Sequence, residues 1–206
     1  MKNKIEARIN WEEQWALHGK GYCKGFLRVS LQEYAQHANR ELLLKPGPGF
    51  GDLSHPTTRF VLKLMESYVK GVDVIDLGSG SGILSLAACG MGAKRVWGID
   101  IDPQAIEHAS VNAVHNNMSD KVSFSLHPPS LSGRYTLLMN MIYSEQIIAW
   151  ASLGILQDQV DWIVISGLLI EQKELYLNLC AQWHWELKDE LQEDGWLGLV
   201  LRKNSG

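Results

Sequence analysis

The stretch Val74-Ile75-Asp76-Leu77-Gly78-Ser79-Gly80-Ser81-Gly82 constrains the fold of this chain more than any other. An apolar run closes around an acid, glycines follow at every second position, and an apolar segment with helical spacing begins at once. That order reads as strand, tight turn, helix. A second apolar run ends at Gly98-Ile99-Asp100-Ile101-Asp102, and its acid lies 24 positions beyond Asp76. A nucleotide-binding α/β unit places a carboxylate on ribose hydroxyls at about that offset. The two runs together point to an adenosine-containing ligand.

Glycine spacing narrows the ligand. A dinucleotide fingerprint needs Gly-x-Gly-x-x-Gly to seat a pyrophosphate on the helix N-terminus. Here the third position after Gly80 is Ile83, and the pattern is Asp-x-Gly-x-Gly-x-Gly, with the acid where it would repel a phosphate. A carboxylate at that point suits a cationic ligand, and S-adenosylmethionine carries both an ammonium and a sulfonium. Glycines without Cβ let the backbone come close to such a ligand.

With 206 residues, 46% of them hydrophobic, the chain can build one substantial core and a small appendage. A formal charge of -4 and a pI near 6.0 leave no overall basic field, so nucleic acid is not an expected partner. Cys23, Cys89 and Cys180 are far apart and form no metal or disulfide pattern, so they read as buried reduced thiols, and no metal is expected. Met1 to Glu6 lacks the apolar core of a signal peptide, and no apolar run reaches membrane-spanning length. The expectation is a cytoplasmic protein with no membrane partner.

Residues 1–45 read as a linker-like N-terminal extension and residues 46–206 as the ligand-binding domain. In the extension, Trp11 and Trp15 share one face of a helical turn and are expected to pack the segment onto the domain. Phe26–Leu31 and Glu41–Lys45 look like short strands. Lys45 to Pro56 is rich in proline and glycine, too irregular for an element and long enough to be functional. A helix follows to about Lys70 with Phe60, Val61, Leu64 and Met65 on one face.

Strands are then expected at Val72–Leu77, Lys94–Asp100, Val122–Leu126, Tyr135–Ile142 and Asp161–Gly167. Helices alternate with them: one from Ile83, one after Asp102-Pro103, one running to about Gln157 and one over Glu171–Gln182. The closing runs Trp185–Gln192 and Trp196–Leu201 flank Asp194-Gly195, a hairpin signal. Together these imply a three-layer α/β fold with a mostly parallel sheet and an antiparallel edge.

Several stretches resemble the class I S-adenosylmethionine-dependent methyltransferases, and more narrowly the PrmA family of ribosomal-protein methyltransferases. They are Trp11–Trp15, Leu44-Lys45-Pro46-Gly47 into Phe50-Gly51, His55-Pro56-Thr57-Thr58, Asp76–Leu84, Gly98–Pro103, Asn140-Met141-Ile142 and Gly195–Leu201. The likeness covers nearly the whole chain and implies a seven-stranded Rossmann-like sheet ending in the hairpin. It implies that Asp76, Gly78, Ser79, Gly80 and Gly82 surround the methionine part of S-adenosylmethionine. Asp100 would hold the ribose and Ile101 would abut adenine. Phe50, Gly51, His55 and Thr57 would belong to a loop closing over the cofactor. Asn140 would face the reacting amine, with capping of the following helix as its alternative role, and Tyr143 would either line the site or pack.

The pattern departs from the family in two places. The linker-like tryptophans begin ten residues from the start, leaving no room before them for most of the N-terminal substrate-docking domain. Gly51-Asp52-Leu53 stands where the family usually has Gly-Thr-Gly. The expected activity is methylation of a protein amine, a lysine or an N-terminus. The alternatives are a methyltransferase for a small molecule or RNA base, and a cofactor-binding protein without catalysis.

Overall fold

A computed structural model describes residues 9–19 and 21–204. The segment Met1–Glu6, read above for signal-peptide character, lies outside the described residues. The chain opens with α1 (Trp11–His18), then β1 (Tyr22–Cys23), β2 (Phe26–Ser30) and β3 (Glu41–Leu44), which pair antiparallel in a small sheet. Next come α2 (Pro56–Leu64), α3 (Glu66–Val69), β4 (Asp73–Leu77), α4 (Ile83–Gly90), β5 (Arg95–Ile99) and α5 (Pro103–His115). The chain continues with β6 (Val122–Ser125), β7 (Tyr135–Asn140), α6 (Tyr143–Ser152), β8 (Val160–Leu169), α7 (Lys173–Gln182), β9 (Trp185–Glu193) and β10 (Trp196–Lys203). The large sheet has seven strands in the order β6-β5-β4-β7-β8-β10-β9, with β6 to β8 mutually parallel and β10 antiparallel to both neighbours.

Side-chain alternation explains the two cores. On β4, Val74 turns to one face with Val96, Leu138, Val164 and Val200, while Ile75 turns to the other with Leu137, Ile163 and Ile165. The first face is covered by α2, α4 and the small sheet, whose Leu27, Val29, Leu42 and Leu44 are fully or almost fully buried there. The second is covered by Trp150 of α6 and by Tyr176 and Cys180 of α7. Trp15 is buried, its ring edge-on to His108 at 5.9 Å, so α1 is packed down by one of its two tryptophans.

Several expected boundaries shift. The helix expected to run to Lys70 breaks at Met65 into α2 and α3, and β7 stops at Asn140 instead of Ile142. The helix expected to reach Gln157 ends at Ser152. Gly154, at φ +52, then opens a 3-10 turn over Gly154–Gln159. Likewise α7 begins at Lys173 after a 3-10 turn. The thiols are not uniformly buried: Cys180 is, Cys89 is half-buried, and Cys23 is exposed because the two-residue strand carrying it lies at the rim of the small sheet. On α5, Ala105, Ala109 and Ala113 are buried and Ile106 is half-buried. No described helix is long and apolar enough to cross a membrane.

Candidate functional site

Strand order decides where a ligand can sit. From β4 the chain winds outwards through β5 to β6, then returns to β7 on the other side, so the crevice beyond the carboxyl ends of β4 and β7 is the switch point of the sheet. Open α/β sheets bind ligands at such a point. The glycine turn leaves β4 on one side of this crevice and Asn140-Met141 leaves β7 on the other.

The turn is held by backbone. Gly78 and Ser79 N–H groups both donate to the Ile99 carbonyl, at 2.7 and 3.0 Å, which ties the end of β4 to the end of β5. Gly78, Gly80 and Gly82 all have positive φ, at 79°, 54° and 81°, a region that is costly for side chains with a Cβ. The protein itself fills the spaces left by the missing Cβ atoms: Met141 Cε against Gly78, the Phe50 backbone against Gly80, and Phe124 with Ala109 against Gly82. Packing within the chain thus requires these glycines, independently of any ligand.

Two carboxylates mark the crevice. Asp76 is 0% exposed; Ser85 Oγ donates to its Oδ2 at 2.7 Å, and among the described residues its Oδ1 has no partner. Burial, with the Asp100 charge adding and Ser85 hydrogen bonds opposing, pushes its carboxyl up to about 7. Ser79, also buried, carries an Oγ with no partner among the described residues. Asp100 is half-buried and accepts from Gly80 N at 2.9 Å through Oδ2 and from Asp102 N at 3.0 Å through Oδ1. Each oxygen keeps a second lone pair. Ile101, beside it, is 95% exposed, an apolar side chain standing open at the rim.

The loop from Lys45 to His55 lies on the turn. Ser81 N donates to Phe50 O at 2.9 Å and Ser81 Oγ to Gly51 O at 3.4 Å, while a Cβ at Gly49 would strike the Gly80–Ser81 peptide. Phe50 is 56% exposed. His55 caps α2, with Nδ1 2.9 Å from Thr57 Oγ1 and accepting from Thr57 N at 3.5 Å, and its ring packs edge-on against Trp196 at 4.5 Å. Burial and the Arg59 charge push the His55 ring below its usual pKa, against Asp52, and a neutral ring suits this capping role. Thr57 is buried within the first turn of α2 and so belongs to a helix, not to the loop.

The two residues that depart from the family pattern are both accommodated. Asp52 accepts from Ser54 N at 3.0 Å and Ser54 Oγ at 2.5 Å, an Asx-type turn. Leu53 takes φ +63 and buries its side chain in the main core. Arg59 donates to Leu53 O at 3.0 Å and pairs with Glu193 at 3.2 Å.

Asn140 is not the helix cap: Ile142 holds that position in α6, with no side-chain hydrogen bond. Its Nδ2 donates instead to Thr58 Oγ1 at 3.2 Å, which leaves Oδ1 for a ligand or substrate. Tyr143 stacks edge-on with buried Tyr176 at 5.9 Å. The sequence reading missed Thr58, and it missed three buried polar residues, His108 and Asn112 on one face of α5 and Asn116 at its C-cap. Their spacing of four was the only available signal.

A family model described as ribosomal protein L11 methyltransferase (PrmA) matches residues 4–204. The chain belongs to the PrmA family. Ribosomal protein L11 methyltransferase from Pelobacter propionicus is 35% identical over 170 residues, 79% of this chain and 55% of that relative. The protein of the same name from Dictyoglomus thermophilum is 31% identical over 206 residues, 95% of this chain and 68% of its own length. The chain therefore spans from little more than half to about two thirds of these PrmA relatives. A crystal structure of ribosomal protein L11 methylase from Lactobacillus delbrueckii subsp. bulgaricus superposes with a TM-score of 0.70 at 22% identity, over 86% of this chain and 99% of that one, which supports the fold.

Proposed function

We propose that this PrmA family member binds S-adenosylmethionine in the crevice between β4 and β7 and methylates an amine of a protein, with a ribosomal protein as the first candidate substrate. The observation that carries the reading is the pair of carboxylates at the switch point, Asp76 with a buried oxygen unpartnered among the described residues and Asp100 with free lone pairs at the end of β5. The acid at Asp76 disfavours a pyrophosphate and suits a cationic ligand, and the acid at Asp100 suits a hydroxyl-bearing sugar. The exposed Ile101 side chain offers an apolar surface for a flat base.

The bound cofactor supplies a methyl group on a sulfonium, already a good leaving group, so the protein mainly has to orient the nucleophile within about 3 to 3.5 Å and exclude water. In this reading Phe50, exposed on a loop whose backbone is bonded to the glycine turn, covers the crevice. An amine must be neutral to react, and a lysine has a reference pKa of about 10.4. A desolvated site favours the neutral form. Asn140 Oδ1, with Nδ2 held by Thr58, accepts an N–H of that amine and turns its lone pair inward. Asp52, tied into its own turn by Ser54, is held out of that role.

Calorimetry with S-adenosylmethionine and S-adenosylhomocysteine tests binding, and transfer of labelled methyl into a lysate lacking this protein tests the reaction. Label in a protein band, lost in Asn140→Ala, is the expected result. Binding without label would leave a non-catalytic cofactor-binding protein; label in RNA alone would move the substrate to a nucleic-acid base.

A further inference from the structure

The loop that carries Phe50 is held on the glycine turn by one face of α5. Asn112 Oδ1 accepts from Lys45 N at 2.8 Å, and Asn112 Nδ2 donates to Ser81 O at 2.9 Å, so one amide bridges loop and turn. One helical turn earlier His108, 7% exposed, lies within hydrogen-bonding distance of the loop twice: Nε2 stands 2.6 Å from Lys45 O, and Nδ1 accepts from Gly49 N at 3.2 Å. A carbonyl can only accept and an amide N–H can only donate. The ring therefore carries its proton on Nε2 and none on Nδ1. Only one neutral tautomer satisfies both contacts, and the imidazolium satisfies only the first.

We propose that His108 is a positioning residue for the cofactor site: its neutral Nε2–H tautomer clasps the 45–51 loop against the glycine turn and so holds Phe50 over the crevice, and protonation releases Gly49 and weakens cofactor binding. This rests on the assignment of the crevice to an adenosyl cofactor. The fit is tight, since a Cβ at Gly47 would run into the imidazole ring, and Gly49 has no room for one against Gly80. The groups facing the ring are Trp15 from α1, Asn112 from α5, and Lys45, Gly47 and Gly49 from the loop. Of these only Lys45 is charged; burial first and then the Lys45 ammonium lower the pKa of the ring, against its hydrogen bond to the Lys45 backbone. The clasp is thus complete above about pH 6.5, the ordinary histidine value, and fails as pH falls below it through the depressed value.

Three measurements on the whole chain test this. A long-range proton–nitrogen spectrum of the imidazoles, on the ligand-free protein, should show His108 as the Nε2–H tautomer at pH 7, with its protonation midpoint below the ordinary histidine value; an Nδ1–H tautomer or a charged ring at pH 7 overturns the proposal. Dissociation constants for S-adenosylhomocysteine are then compared between wild type and His108→Gln from pH 7.5 down through that measured midpoint. Glutamine keeps a donor for Lys45 O and does not titrate, so the variant should bind about fivefold more weakly at pH 7.5, roughly one hydrogen bond, and the ratio should shrink towards one below the measured midpoint. The Asp76 titration acts on both proteins and cancels in that ratio. A ratio that stays at one, or does not change with pH, overturns the proposal. Amide exchange at Gly49 should quicken in the variant, and an unchanged rate would also count against it. If wild type binds no S-adenosylhomocysteine, the assignment of the crevice falls, while the tautomer and the Gly49 exchange still decide whether His108 clasps the loop.

Discussion

Two glycine-rich segments meet at the crevice and are held in opposite ways. The turn Gly78–Gly82 is fixed chiefly to the end of β5, with two N–H groups on Ile99 O and a third on the Asp100 carboxylate, and Asn112 adds one bond at Ser81 O. The loop from Lys45 to His55 is fixed largely by side chains from elsewhere, His108 and Asn112 at its start and Arg59 near its end. The first is an extension of the sheet and moves only if the sheet does. The second is docked onto a finished domain and can be loosened by single side-chain changes or by pH. In the proposed reaction, the rigid segment binds and the docked segment covers.

The comparison breaks most readily at Asp100, which serves the rigid turn and the expected ribose together. Asp100→Ala should weaken S-adenosylhomocysteine binding about 100-fold, because charge-assisted acceptors contribute the strong end of the hydrogen-bond range. Calorimetry showing undiminished affinity would sink the ribose assignment. Gly80→Ala strikes the seam between the two segments, since it needs φ +54 and its Cβ would press on Phe50 O. A loss of about 2 kcal/mol in urea unfolding is expected, the left-handed strain plus the clash. If Gly80→Ala were as stable as wild type, the loop would not be seated on the turn as described.

Leu53 sharpens the picture of the docked segment. Its φ of +63 costs roughly 1 to 2 kcal/mol for a residue with a Cβ, offset by burial of its side chain. Leu53→Ala keeps the strain and loses the burial, whereas Leu53→Gly loses the burial and relieves the strain. The glycine variant should therefore be the more stable of the two by about 1 kcal/mol, against the usual rank. Equal stabilities in denaturant titrations would mean that position 53 is not strained.

Asp76 tests the rigid side by pH. Its folded pKa of about 7 lies above the ordinary 3.8, so the folded, ligand-free protein binds the extra proton between those values. Stability from this group therefore falls as pH rises from 3.8 to about 7 and is level above it. A cationic ligand favours the ionised form, so affinity should rise through pH 7 and then flatten. Asp76→Asn should remove that rise, weaken binding, and raise the ligand-free melting temperature at pH 8 by ~3 °C, about 1 kcal/mol in a domain of this size. A variant with the wild-type pH profile would show that another group titrates.

Much of this was readable before any coordinates. The strand ending near Asp76, the helix capped by Asp102 with Pro103 at its first position, and the hairpin through Asp194 (φ +52) and Gly195 (φ +82) all rest on local periodicity and turn chemistry. So did the placement of Asp100 beyond β5. What failed was the reading of polar residues on helices. His108, Asn112 and Asn116 break no amphipathic pattern and look like a solvated face. The reading of the glycines was also incomplete, because it counted only a ligand as their neighbour.

What the sequence determined by itself is the order of strands and helices, the conformation of the glycine turn and the identity of its flanking acids, since each depends on residues within one or two turns of one another. Only the tertiary structure decided that Asn140 meets Thr58 across 82 positions, that His108 grips Lys45 across 63, and that a leucine sits in left-handed backbone at 53. Such contacts form when the sheet brings its strand ends together. They leave no trace in local periodicity, because nothing within a single element requires them.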